Sequence, residues 1–163
     1  MKKIILVAGD PNSINSELIF KCWKKINNSV KNRIYLIANH DLILKQFKIL
    51  KYSIKTVKVK NIHGNIEDNK LKIIDIDLKF KNPFKVPEEA ASKCIIKSLT
   101  YAHKLALENS DTGIINCAIN KNLLNRNNIG VTEFLATKCH VKNNSEVMLI
   151  TNEELSVSPI TTH

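Results

Sequence analysis

Residues 4–13 read Ile4-Ile5-Leu6-Val7-Ala8-Gly9-Asp10-Pro11-Asn12-Ser13, and the fold turns on this stretch. Five apolar residues in an unbroken run predict a strand buried on both faces, as in a parallel sheet covered by helices. Gly9-Asp10-Pro11-Asn12-Ser13 then closes the run with turn formers. Beyond the turn, Leu18, Ile19, Cys22, Trp23 and Ile26 recur at helical spacing. Strand, turn and helix together make one β-turn-α unit, and Trp23 falls on its apolar face as a core residue.

Working outward, Ile34 to Ala38 repeats the buried-strand pattern, and Asp41 is placed to cap a helix carrying Leu42, Leu44, Phe47 and Leu50. Apolar and charged residues alternate from Ile54 to Val59 and from Leu71 to Leu78, which predicts half-exposed strands. A loop over Asn82 to Pro87 follows. Pro87, with Glu88 and Glu89 behind it, opens a long helix whose stripe is Ala91, Cys94, Ile95, Ala102, Leu105 and Ala106. Ile114 to Ile119 reads as a further buried strand. A short helix around Leu123, a helix from Thr132, and strands over Val147 to Ile150 and Leu155 to Thr161 complete the chain. Strands alternating with helices predict an α/β/α layered domain with a mostly parallel central sheet. The abrupt stop at His163, after a strand, predicts further sequence downstream.

Composition narrows the function classes. The 163 residues are 44% hydrophobic and 25% charged, ordinary for a globular protein with a real core. A chain of this size buries roughly 70% of its unfolded surface. The formal net charge is +10, yet Arg33 and Arg126 are the only arginines. Arg, not Lys, reads bases and phosphates bidentately, so scattered lysines predict no nucleic-acid partner. Met1-Lys2-Lys3 imitates the start of a signal peptide, but the apolar run that follows stops too soon at Gly9-Asp10-Pro11. No segment approaches the roughly 18 apolar residues of a membrane span. Cys22, Cys94, Cys117 and Cys139 contain no CxxC pair and read as reduced, mostly buried thiols of a cytoplasmic protein. His40, His63, His103 and His140 have no metal-ligand spacing among themselves. There is no GxGxxG, no Walker A motif and no nucleophile elbow.

Ligands of open α/β sheets bind beyond the carboxyl ends of the strands. Gly9 to Ser13, Asn120-Lys121, Gly130 to Glu133 and Thr161 to His163 fall there on this reading. Asp10 and Glu17 could be functional carboxylates, though a turn-forming Asp and a helix-dipole Glu are the plainer roles. Lys121 could meet a phosphate. The Thr132 hydroxyl could bond a substrate, or simply cap a helix.

These four segments also resemble, in order, the motifs of the 4-hydroxythreonine-4-phosphate dehydrogenase family of pyridoxal phosphate (vitamin B6) biosynthesis. Gly9-Asp10-Pro11 through Ile14 to Glu17 is similar to its GDP-x-x-I-x-x-E opening, and Ile119-Asn120-Lys121 to its P-I-N-K. Gly130-Val131-Thr132-Glu133-Phe134-Leu135-Ala136 is similar to its G-H-T-E-F-L-A, and Thr161-Thr162-His163 to its T-T-H. The resemblance implies an isocitrate/isopropylmalate dehydrogenase-like fold of two α/β domains, homodimeric when complete, of which residues 1–163 are the N-terminal portion and the second half is absent. It implies oxidation of 4-phosphohydroxythreonine by NAD, with loss of carbon dioxide. A divalent metal (zinc, cobalt or magnesium) held by three histidines would polarise the reacting oxygen. By position, His163 would be a metal ligand and Thr132 a substrate contact. No catalytic or cofactor-binding residue is singled out. Departures are Val131 for the family histidine, Ser13 and Asn15 for glycines that leave the loop freer, and Ala118 for proline. Three readings follow: half of the ordinary enzyme, inactive until completed; a related dehydrogenase of another phosphorylated four-carbon hydroxy acid; or a non-catalytic module that pairs with a separate second half. All three predict an exposed apolar surface where that half would dock.

Overall fold

The computed structural model describes residues 2–63, 69–124, 130–141 and 146–159. Lys3–Val7 forms β1 and leads through the Gly9 turn into helix α1, Asn15–Lys25. A single helical turn, α2 (Asn28–Lys31), precedes β2, Ile34–Ala38. Helix α3 (His40–Ile49) then leads to β3 (Thr56–Val59) and β4 (Leu71–Asp75). Helix α4 (Glu88–Glu108) returns the chain to β5, Thr112–Asn116. A 3-10 turn at Lys121–Leu123, helix α5 (Val131–Lys138) and a small hairpin of β6 (Ile150–Thr151) and β7 (Ser156–Val157) follow.

Five strands make one sheet in the order β3-β4-β2-β1-β5, and every neighbouring pair is parallel. Ile5 of β1 lies opposite Tyr35 on one side and Ile114 on the other. Because side chains alternate across a strand, β2 feeds both faces. Tyr35 and Ile37 join the cluster under α4, while Ile34, Leu36 and Ala38 join the one under α1 and α3. The layered α/β/α expectation therefore holds.

Helix α4 is the clearest case of sequence becoming packing. Pro87 is its N-cap residue, Glu88 and Glu89 sit in the first turn, and Ala91, Cys94, Ile95, Ser98, Leu99, Ala102 and Leu105 are buried. Each fully buried Leu or Ile there contributes about 1.5–3 kcal/mol. The Ser98 hydroxyl donates to the Cys94 carbonyl (2.8 Å), so a polar group enters this face without an orphaned donor. Trp23 is also buried, in the cluster beneath α1, as the apolar face of that helix predicts.

Several expectations need correction. Leu71 to Leu78 reads as half exposed, yet β4 lies between β3 and β2 with Leu71 to Ile74 all buried. The misleading residue is Lys72, which is 1% exposed. Its ammonium donates to the Asn32 carbonyl (2.5 Å) and lies 4.5 Å from the Tyr35 ring centre. Burial pulls its pKa below the ordinary lysine value. Asp41 does not cap α3. The Asn39 side chain does, accepting from Leu42 N–H at 2.9 Å.

The strand expected at Ile114 to Ile119 runs instead over Thr112–Asn116 and is not buried. It pairs with β1 on one side only, so its other edge is open among the described residues and Ile115 is 54% exposed. Of the last two expected strands, the described residues show only the exposed β6–β7 pair, apart from the main sheet, and Ile160 and Thr161 lie outside the described residues. Val147, Leu149, Ile150, Leu155 and Val157 are exposed with that pair. Cys22 and Cys139 prove exposed, not buried. Burial pushes the Cys94 and Cys117 thiols up to about 11. No helix of the described residues is long and apolar enough to cross a membrane.

Candidate functional site

In an open parallel sheet the ligand crevice lies where neighbouring strands send their connections to opposite faces. Here two neighbouring pairs meet that condition, β1–β5 and β2–β4; at the second, α3 follows β2 on one face and α4 follows β4 on the other. At the first, the loop after β1 leads into α1 on one face, and the segment after β5 leads toward α5, which packs on α4 across the sheet.

Gly9 opens this crevice with φ +74°, a conformation that side-chain-bearing residues rarely adopt. Its Cα faces the opposing segment so closely that a Cβ would come within 2.5 Å of the Ala118 carbonyl oxygen. Asp10 N–H donates to that same oxygen at 3.0 Å. The Asp10 carboxylate accepts Asn12 N–H at 2.8 Å, which is the turn-forming role. Glu17 stands in the first turn of α1 and pairs with Lys21 at 2.6 Å, the helix-dipole role.

The departures from the glycine-rich pattern turn out to be ties. Ser13 Oγ donates to the Asp10 carbonyl at 2.8 Å. Asn15 Nδ2 donates to the Ala118 carbonyl at 2.7 Å and so bridges the two sides of the crevice. Asn12 brackets the Val86 backbone, donating to its carbonyl (2.9 Å) and accepting its N–H (2.8 Å). Gln46, buried on α3, donates to the carbonyls of Pro11 (2.8 Å) and Pro83 (2.7 Å). The opening loop is thus fixed by side chains from three places. Sequence reading missed Asn12 and Gln46, because their partners are 74 and 35 to 37 residues away.

Across the crevice, the Asn120 side chain accepts Asn122 N–H at 3.1 Å and starts the 3-10 turn, whose first residue, Lys121, is exposed. Helix α5 is capped by Gly130 with no side-chain hydrogen bond, so Thr132 is its second residue and not its cap. Among the described residues, neither the Thr132 hydroxyl nor the amides of Val131 to Glu133 find a partner. The Glu133 carboxylate folds back beside Gly130, its Oε2 2.6 Å from where a Gly130 Cβ would stand, so this N-terminus already has a negative charge and suits a hydroxylated ligand group. Val131 and Phe134 pack against the core cluster that also receives Ile119, so both segments rest on one base. Thr161, Thr162 and His163 lie outside the described residues.

A polar recess of about 550 Å³ opens past the carboxyl ends of β2 and β4, lined by Asn39, Asp41, Lys45, Asp75, Asp77 and Phe80 among others. Asp75 accepts His40 N–H (2.8 Å) and the Lys58 ammonium (2.7 Å). Burial pulls its carboxyl upward, but these two donors outweigh it and hold the pKa below the usual carboxylate value. Among the described residues, no three His, Cys, Asp or Glu side chains come together as a metal site.

Strand order and helix layers define an α/β domain of the doubly wound parallel class. Within that class the chain belongs to the family of the pyridoxal phosphate biosynthetic protein PdxA, whose model matches residues 29–163. The 4-hydroxythreonine-4-phosphate dehydrogenase of Aquifex aeolicus is 27% identical over 165 residues, an alignment that takes in 99% of this chain and 50% of that protein. The enzyme of the same name from Sulfurihydrogenibium sp. is 26% identical over 169 residues, covering 100% of this chain and 50% of its own length. A crystal structure of the Burkholderia phymatum 4-hydroxythreonine-4-phosphate dehydrogenase superposes with a TM-score of 0.79 at 19% identity, covering 97% of this chain and 49% of that one. At that identity the likeness establishes the fold. The chain spans about half the length of the curated relatives that it matches from end to end. The family match begins at residue 29, so the Gly9–Glu17 motif lies outside it and is covered by the Aquifex alignment.

Proposed function

We propose that this chain is the N-terminal half of an NAD- and metal-dependent dehydrogenase that oxidises 4-phosphohydroxythreonine, with loss of carbon dioxide, and that it is inactive until the second half completes it. The observation that carries the proposal is the end-to-end match to half of two 4-hydroxythreonine-4-phosphate dehydrogenases, and two motif segments support it. One is a loop fixed at Gly9 to Asn15, and the other ends in α5, whose first turn and Thr132 hydroxyl have no partner among the described residues. In this reading the Thr132 hydroxyl bonds a substrate oxygen. His163 is one of three metal ligands, because a single imidazole cannot hold such a site. The other two ligands are taken to come from the second half, as the family resemblance implies. The bound metal supplies Lewis acidity and NAD accepts the hydride. The second half covers the open edge of β5, including Ile115, and the finished enzyme is a homodimer in the cytoplasm.

A hydrogen bond to a charged group is worth about 1.5–3 kcal/mol. In the completed enzyme, Thr132→Ala is therefore expected to lower kcat/KM for 4-phosphohydroxythreonine about 10- to 100-fold. Steady-state kinetics check this, and an unchanged kcat/KM would remove Thr132 from the site.

Val131 favours a second reading, in which the enzyme takes another phosphorylated four-carbon hydroxy acid. An isopropyl group stands where the family's imidazole would hydrogen-bond, and it packs against the core. Val131→His in the completed chain separates the two. A gain in activity toward 4-phosphohydroxythreonine supports the ordinary substrate, and no gain supports the altered one.

A further inference from the structure

Reactive cysteines need an exposed sulfur and a group that stabilises or accepts its proton. Two of the four thiols fail the first condition, since Cys94 is buried and Cys117 half-buried, and burial raises both. Cys22 and Cys139 are exposed. They differ in company. Cys139 Sγ lies 3.2 Å from Nε2 of His103 on α4, whereas Cys22 has no hydrogen-bond partner among the described residues. Cys139 also ends α5 as its C-cap residue, with its N–H donating to the Leu135 and Ala136 carbonyls, so its backbone is held in place beside His103. The base and the nucleophile thus come from two helices that pack on each other.

We propose that Cys139 and His103 form a reactive thiol–imidazole pair that takes up a low-molecular-weight disulfide of the glutathione class as a mixed disulfide. The step balances without a further oxidant. With its proton on Nδ1, the His103 ring accepts the thiol proton at Nε2. The Cys139 sulfur then attacks one sulfur of the disulfide, forming a new S–S bond as the old one breaks. The departing thiolate recovers the proton from the imidazolium, so Cys139–SH and RS–SR become Cys139–S–SR and RSH. The adduct replaces a contact between α4 and α5, and α5 carries Thr132 in its first turn. The modified sulfur therefore caps the C-terminus of the eight-residue helix that carries the candidate substrate residue.

The test treats the full chain with oxidised glutathione and follows each cysteine by peptide mass mapping. Cys139 is expected to react about tenfold faster than Cys22, with Cys94 and Cys117 slowest. His103→Gln keeps a hydrogen-bonding side chain but removes the base. It should bring Cys139 down to the Cys22 rate and leave Cys22 itself unchanged. Equal rates at Cys22 and Cys139 in the native chain, or no slowing at Cys139 in His103→Gln, would overturn the proposal. A thermal melt of His103→Gln guards against misreading: if that variant is unfolded, the ratio of Cys139 to Cys22 in the native chain alone decides.

Discussion

Replacing Gly9 with alanine is expected to destabilise the chain by about 2–5 kcal/mol, combining roughly 1–2 kcal/mol for a left-handed non-glycine residue with 1–3 kcal/mol for overpacking. The φ of +74° supplies the first part. The second arises because the new Cβ would meet the Ala118 oxygen at 2.5 Å and Asn15 Nδ2 at 2.7 Å. Asn15 can swing away, but only by giving up its bond to Ala118. The Ala118 oxygen has less freedom. Its segment is held to β1 by Cys117 N–H on the Val7 carbonyl (2.9 Å) and by Asp10 N–H on Ala118 itself. Relief must therefore come from opening the β1–β5 crevice, which is the candidate site. Urea unfolding measures the loss, and a change below about 0.5 kcal/mol would show that the Gly9 geometry is not required.

Leu99→Ala is expected to cost about 2–5 kcal/mol, the range for truncating a buried leucine that leaves a cavity. Leu99 is fully buried in the middle of α4, in the cluster formed with β1, β2 and β4. Domains have only about 5–15 kcal/mol in total, so this single change removes a large share. Ile115→Ala gives the contrast. Ile115 is also aliphatic and lies in a strand, but on the open edge of β5, and its truncation should stay within about 0.5 kcal/mol. Denaturation midpoints of the two variants check the pair. A cost at Ile115 matching that at Leu99 would mean that β5 is covered in this chain.

How much of this could be read in advance depended on the range of the interaction. The β1 run and the α4 stripe were legible because both signals are local: continuous apolar residues in one, helical periodicity behind Pro87 in the other. β4 was misread because Lys72 breaks the apolar run while its ammonium finds the Asn32 carbonyl, 40 residues away. β5 was misread for the opposite reason. Ile114 and Ile115 are apolar enough to be buried, but the strand order leaves Ile115 facing solvent. The positions of the crevice loops followed from the strand ends, and Asp10 and Glu17 took the plain structural roles expected of turn and helix-dipole acids. The ties through Asn12 and Gln46 were invisible, since short polar side chains carry no mark of a distant partner. The roles of Thr132 and His163 came from motif resemblance. Local physics at Thr132 allowed a helix cap equally well, and only the Gly130 cap removes that alternative.

The central claim is that this chain carries one half of a shared dehydrogenase site. The direct measurement is NAD reduction, followed by near-ultraviolet absorbance, with 4-phosphohydroxythreonine and a divalent metal. It is made on this chain alone and on the chain joined to the C-terminal half of the Aquifex relative. Activity only in the joined protein is the predicted result. Turnover by the chain alone would contradict the account, because the metal ligands assigned to the second half would then not be needed.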